Sequence, residues 1–113
     1  MRLPVLLSLA ATALATGCGP DCQSTCERLY TESECNIQRA GRDVDWLLGN
    51  CRSMCEEALK NPGEIGAYDP YAQSGYGSSI QITNEQQAAL WMECVAEMDC
   101  AKIDEDNYCA PVP

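Results

Sequence analysis

Sulfur is the dominant reactive chemistry of this chain, with nine cysteines among 113 residues and no histidine. Thiols at that density can ligate a metal, cycle between redox states, carry an acyl group or cross-link a small core. Four of them form two Cys-x-x-x-Cys units, Cys22/Cys26 and Cys51/Cys55. Residues four apart stack along a helix, about 6 Å apart on the axis, so each unit is a two-rung ladder on one helix face. In an antiparallel pair, residues at one level share a constant sum of their numbers. That selects Cys22–Cys55 with Cys26–Cys51, each summing to 77. The opposite pairing needs parallel helices, which a link of roughly ten residues cannot readily provide. Facing Cα atoms of packed helices approach to roughly 3.5–5.5 Å, and the upper part of that range suits a disulfide.

Other chemistry is poorly supplied. Without histidine, the usual general base, the serine and cysteine triads and most zinc hydrolase sites have no base or ligand. Glu93 and Glu97 could in principle form a carboxylate pair for glycoside cleavage, but they lie on a helix face that reads as solvated. Asp104 and Asp106 lack the glycine and distal glutamate of a calcium loop, and Gly75-Tyr76-Gly77-Ser78-Ser79 lacks the lysine of a phosphate loop. Seventeen acids against seven bases give a net charge of −10, which disfavours nucleic acid and anionic lipid as partners and leaves a protein or a cation. No catalysis, cofactor or metal is expected.

The first seventeen residues read as an export signal: Arg2, an apolar run from Leu3 to Ala15, then small residues. Ala13-Leu14-Ala15 fits ordinary signal peptidase. Ala15-Thr16-Gly17-Cys18 resembles the lipobox of bacterial lipoproteins, which implies acylation of Cys18 after cleavage. Cysteine parity favours the second site, because nine thiols leave one unpaired outside the cell, whereas acylating Cys18 leaves eight for four bridges. The same resemblance implies, from Gly19, an outer-membrane location facing the periplasm or the cell surface. Export means an oxidising compartment, so bridges take precedence over a four-thiolate zinc site. The twin units also resemble the helical hairpin of the small Cys-x-x-x-Cys chaperones of the mitochondrial intermembrane space, which implies the hairpin geometry and not the chaperone activity. The expected organisation is a signal peptide at 1–17, an anchor at 18–20 and a stapled helical domain at 21–113.

Three helices must position these cysteines. The first starts with Gly19 or Asp21 as cap and buries Cys22, Cys26, Leu29 and Tyr30. The second opens on Asp43 and stops at Asn61-Pro62-Gly63, with the stripe Val44, Leu47, Leu48, Cys51, Met54, Cys55, Ala58 and Leu59. Trp46 falls beside that stripe, as the rim of its own core or as a partner contact. The third opens on Thr83 or Asn84 and buries Leu90, Trp91, Cys94, Val95 and Met98. Between the last two runs a loop rich in glycine, with Tyr68, Tyr71 and Tyr76, longer than compact domains usually carry. Its tyrosines either pack on the hairpin or, with Trp46, present an aromatic surface, and its residues 66–80 are expected to be dispensable for folding.

Cys35, Cys94, Cys100 and Cys109 allow three pairings. Cys35–Cys94 with Cys100–Cys109 is the expected one, docking the third helix and pinning the tail. The fold class is thus all-α, a small disulfide-rich three-helix domain. The expected function is a lipid-anchored binding or structural module for a protein partner, held to the membrane by the lipid on Cys18. The alternative is an acidic inhibitor or immunity-type protein that binds a basic secreted enzyme.

Overall fold

A computed structural model describes residues 19–75 and 79–113. The segment 1–17 expected to be an export signal, the expected acylation site Cys18 and Tyr76 lie outside the described residues. The described chain is all-helical: α1 (Cys22–Tyr30), α2 (Val44–Leu59), α3 (Glu85–Glu97) and a short α4 (Cys100–Asp104). The sequence predicts the first three. Five residues are too few to show a helical period, so α4 was not foreseen.

Each main helix starts where a side chain satisfies its free amides. Asp21 Oδ1 accepts from the Ser24 N–H at 2.7 Å, and Ser24 Oγ accepts from the Asp21 N–H at 3.0 Å. These bonds, the Ser24 amide foremost, hold the Asp21 carboxyl below its ordinary pKa. Asp43 caps α2 through the Trp46 N–H at 2.8 Å, and Asn84 caps α3 through the Gln87 N–H at 3.0 Å.

The α1/α2 hairpin is cross-linked by Cys22–Cys55 and Cys26–Cys51, with Cα separations of 5.7 and 5.8 Å. Both rungs are buried, along with Leu29, Leu47, Ala58, Ala88, Trp91 and Val95. Two ends of the expected α2 stripe are not: Val44 is 44% exposed and Leu59 40%. By the sum of 77, the nine residues of α1 face only 47–55, and the longer α2 overhangs at both ends. Helix α3 runs parallel to α1. Its start is tied to the end of α2 by the Glu85 N–H donating to Asn61 O at 2.8 Å. Its end is held by Arg28 of α1, whose guanidinium donates to Val95 O at 2.7 Å and Met98 O at 2.8 Å.

The remaining bridges correct the expectation. They are Cys35–Cys100 and Cys94–Cys109, not Cys35–Cys94 and Cys100–Cys109. The reason lies in what each pair gathers around. The Cys35 N–H donates to Arg28 O at 2.9 Å while the Arg28 guanidinium holds Met98, two residues before Cys100. Cys94 sits on the opposite, buried side of the α3 terminus, where its Sγ lies 3.5 Å from Pro70 O and the Cys109 N–H donates to the same carbonyl at 2.8 Å.

Gly63 and Gly49 make a contrast that composition hides. A Cβ on Gly63 would come within 2.7 Å of the Asn84 side chain, the cap of α3, whereas one on Gly49, inside α2, meets nothing within 4 Å. Gly49→Ala is expected to stabilise by about 0.5–1 kcal/mol through chain entropy. Gly63→Ala is expected to destabilise by about 1 kcal/mol or more by displacing the cap. Denaturant midpoints of the two variants check the opposite signs.

Cys35 and Cys100 are half-buried while the other six bridged cysteines are at most 5% exposed. Thiol attack needs access to sulfur. Brief native-state reduction followed by alkylation and mass spectrometry should therefore label Cys35 and Cys100 first. Labelling of Cys26 or Cys51 at the same rate would contradict this packing.

Candidate functional site

The tail after α4 contains Pro111 and Pro113, which have no N–H to offer a ladder, so its carbonyls must find donors elsewhere. They find them in side chains from four separate segments. Trp91 Nε1 donates to Cys109 O at 3.0 Å and Pro111 O at 2.8 Å, Tyr68 Oη to Ala110 O at 2.6 Å, and Arg39 to Val112 O at 3.1 Å. The Tyr30 hydroxyl donates to Pro113 O. Every carbonyl from 109 to 113 is thus held by a side chain of α1, the link, the loop or α3. Burial pushes the Tyr30 phenol up to about 12, against a smaller pull from Arg39, and drives Tyr68 higher still, with the Asp69 charge adding to it.

On its other side the tail forms one wall of a groove of about 790 Å³. Ile82 and Ile103, both buried, and half-buried Met54 lie beneath it, while exposed Ile80 and half-buried Val112 flank it. Arg39 and Asp104 supply one charge of each sign. Ser74, Ser79, Gln81 and Asn107 add polar groups, so polar and apolar surface share the lining about equally, a mix that suits an amphipathic peptide or small ligand. A second cleft of about 660 Å³ runs along α1, lined by the hydroxyl residues Ser24, Thr25, Thr31 and Ser33 with Arg28 and Glu34. Thr25 Oγ1 is buried there without a hydrogen-bond partner.

Of the aromatic residues singled out from sequence, the described ones, Tyr68, Tyr71 and Trp46, are not among those lining the groove. Tyr68 belongs to the frame, through its bond to the tail. Tyr71 is 37% exposed and lies over α3, its hydroxyl 3.0 Å from Glu97 and 3.4 Å from Glu93. Desolvation first, then the hydrogen bonds and charges of those two carboxylates, raise its phenol to about 12. The Glu93/Glu97 pair thus shares a phenol donor on an exposed face, which binds the loop to α3. Trp46 is 43% exposed, with the Arg42 guanidinium 4.0 Å over its ring, so it is surface and not the rim of the core. The loop is also no appendage. Pro70 is fully buried, and Ser74 donates to Asn107 O through its N–H at 3.1 Å and its Oγ at 2.9 Å. Deleting 66–80 would unfasten the tail, contrary to the expectation that it is dispensable.

Reasoning from sequence missed Arg39 and the tail as parts of this region. The usable signal was Pro111-Val112-Pro113, a stretch that needs outside donors. Among the described residues no three cysteine, aspartate or glutamate side chains are grouped to hold a metal, and no helix is long and apolar enough to cross a membrane. Comparison with family models, curated proteins and solved structures found no match, so the reading of the site stands on its own geometry.

The two buried phenols set an alkaline limit. Their pKa values are raised in the folded state, so the neutral form is the one the fold holds. This stabilisation is complete below about pH 10, the unfolded value, and is lost as pH rises toward 12 and beyond. A rapid titration of tyrosinate absorbance should show Tyr30 and Tyr68 ionising together with loss of the Trp91 environment. Tyr68→Phe should abolish its share of that step. Tyrosines that all titrate near pH 10 without unfolding would contradict the hydrogen bonds to the tail.

Proposed function

We propose that this chain is an exported, lipid-anchored module without catalytic activity, which holds a protein partner at the membrane through the groove beside its tail. The observation that carries the anchor is the fate of sulfur: all eight cysteines of the described residues are paired in four bridges, and the ninth, Cys18, stands in the lipobox-like stretch. A bridged body needs no further thiol, so the one remaining is free for acylation. The groove supports the binding role because the walls around it are fixed by bridges and tail bonds before any ligand arrives, which lowers the ordering cost of association.

Intact-mass spectrometry of protein extracted from membranes should give an acyl mass on a chain beginning at Cys18, with no alkylatable thiol before reduction. Cys18→Ser should move the protein to the soluble fraction while leaving its thermal midpoint unchanged. A mature chain that begins at Thr16 without acyl mass would remove the anchor. For the groove, Met54→Glu should abolish cross-linking to the partner from a photoreactive residue at position 80 and leave the helical spectrum intact. Complex formation that weakens steeply with salt would instead favour the acidic-inhibitor reading, since −10 of net charge would then carry the binding.

A further inference from the structure

The two ends of α2 are exposed and apolar, yet they are chemically different. Leu59, 40% exposed, is followed by Lys60, while Trp46 at 43% and Val44 at 44% stand at the other end under Arg42. The hairpin register relates both to the start of α1. By the sum of 77, the α1 cap Asp21 lies level with position 56, so Leu59 stands beyond the start of α1, while Trp46 lies level with Thr31, just past its end. At 1.5 Å per residue Trp46 is about 20 Å further along the axis than Leu59.

We propose that the Leu59 end of the hairpin rests on the lipid headgroups and that the Trp46/Arg42 end faces away from the bilayer. This inference rests on the acylation of Cys18. Only Gly19 and Pro20 separate that residue from the α1 cap Asp21, so three virtual bonds place the cap within about 11 Å of the acylated residue. Leu59 extends roughly 4.5 Å past the level of Asp21 toward the anchor. That span is comparable to one headgroup layer. A hairpin lying flat does not reproduce this contact. Leu59 and Val44 continue the core-facing stripe of α2, whose middle residues Leu47, Cys51, Cys55 and Ala58 are buried inside the body, and Trp46 points roughly 140° away from Leu59 around the helix, so no one surface receives both ends. Lys60 is paired with Glu57 at 3.6 Å, and Glu56, Glu64 and Glu85 are exposed carboxylates in the same region. These oppose anionic lipid and stop the end at the headgroups of a zwitterionic surface. The acyl chain holds the protein on the bilayer, and the length of the tether decides which end touches it.

The test uses the full acylated protein in phosphatidylcholine vesicles with or without a doxyl quencher near the headgroup. Trp91 is fully buried and serves as constant background. In the native chain Trp46 reports the far end. In the double variant Trp46→Phe/Leu59→Trp the reporter sits at the near end, and Trp46→Phe/Lys60→Trp, at a side chain 72% exposed, provides a second near-end reporter if the first fails to fold. Quencher lipid should reduce near-end emission at least twofold and leave Trp46 unchanged. Acylated protein with equal quenching at both ends, or with stronger quenching at Trp46, overturns the orientation while the anchor stands. Protein with no acyl mass and no vesicle association overturns the anchor and the orientation together.

Discussion

The antiparallel register of α1 against α2 is the constraint from which the rest follows. Two bridges with Cα separations of 5.7 and 5.8 Å fix the distance, the direction and the rotation of the helices at once, because a one-residue slip would turn a sulfur away from its partner. A body of this size buries only a modest apolar surface, so the bridges carry a large share of what holds the register. Bridges of this kind typically contribute about 2–4 kcal/mol each, the inner one less because it closes a loop already shortened by the outer. Once the pair is fixed, its unequal lengths decide what stays exposed. Nine residues of α1 cannot cover sixteen of α2, and the overhangs at Val44 and Leu59 are the consequence.

Arg28 does for α3 what the ladder does for α2. Its guanidinium takes two carbonyls at the end of α3, where the helix would otherwise leave acceptors unpaired. Its own carbonyl receives the Cys35 N–H, so one residue positions both halves of the Cys35–Cys100 bridge. The pattern recurs at the tail, whose backbone oxygens are taken one by one by Tyr30, Arg39, Tyr68 and Trp91. Tertiary order here comes largely from side chains donating to stray carbonyls, which suits a small core with little room for secondary structure.

The parts legible in the sequence were those governed by periodicity and spacing. The helix class, the Asp43 cap and the ladder follow from intervals of three and four residues, while the choices between Gly19 and Asp21 and between Thr83 and Asn84 were settled by the hydrogen bonds of Asp21 and Asn84. The parts that were not legible depend on long-range geometry. Pairing Cys35 with Cys100 requires knowing that Arg28 turns the chain after α3, and no local pattern records a bond between residues seventy apart. Ile37 is buried because its N–H returns to Leu29 O at 2.9 Å and turns the link inward, although the stretch reads as a mere connection. Tyr68, Tyr71 and Trp46 looked alike as aromatic residues outside the core stripes. Only their hydrogen-bond partners separate a frame residue from a surface one.

A groove built between a loop and a tail is usually a soft feature, since loops open at little cost. Here the tail is covalently tied at Cys109 and held by hydrogen bonds from the hairpin, the link, the loop and α3, while the loop is tied back through Ser74 to Asn107. Moving the tail means breaking a bridge and several hydrogen bonds together, so that wall behaves as part of the body and not as a lid. Any occupant of the proposed groove would meet a preformed surface, whose shape and polar groups, Arg39 and Asp104 among them, would decide the fit. The same cross-linking also explains why the acidic charge is tolerated. Repulsion among exposed carboxylates loosens proteins that can expand, whereas a chain closed by four bridges has little expanded state to reach under native conditions, leaving its charge to keep neighbouring molecules apart.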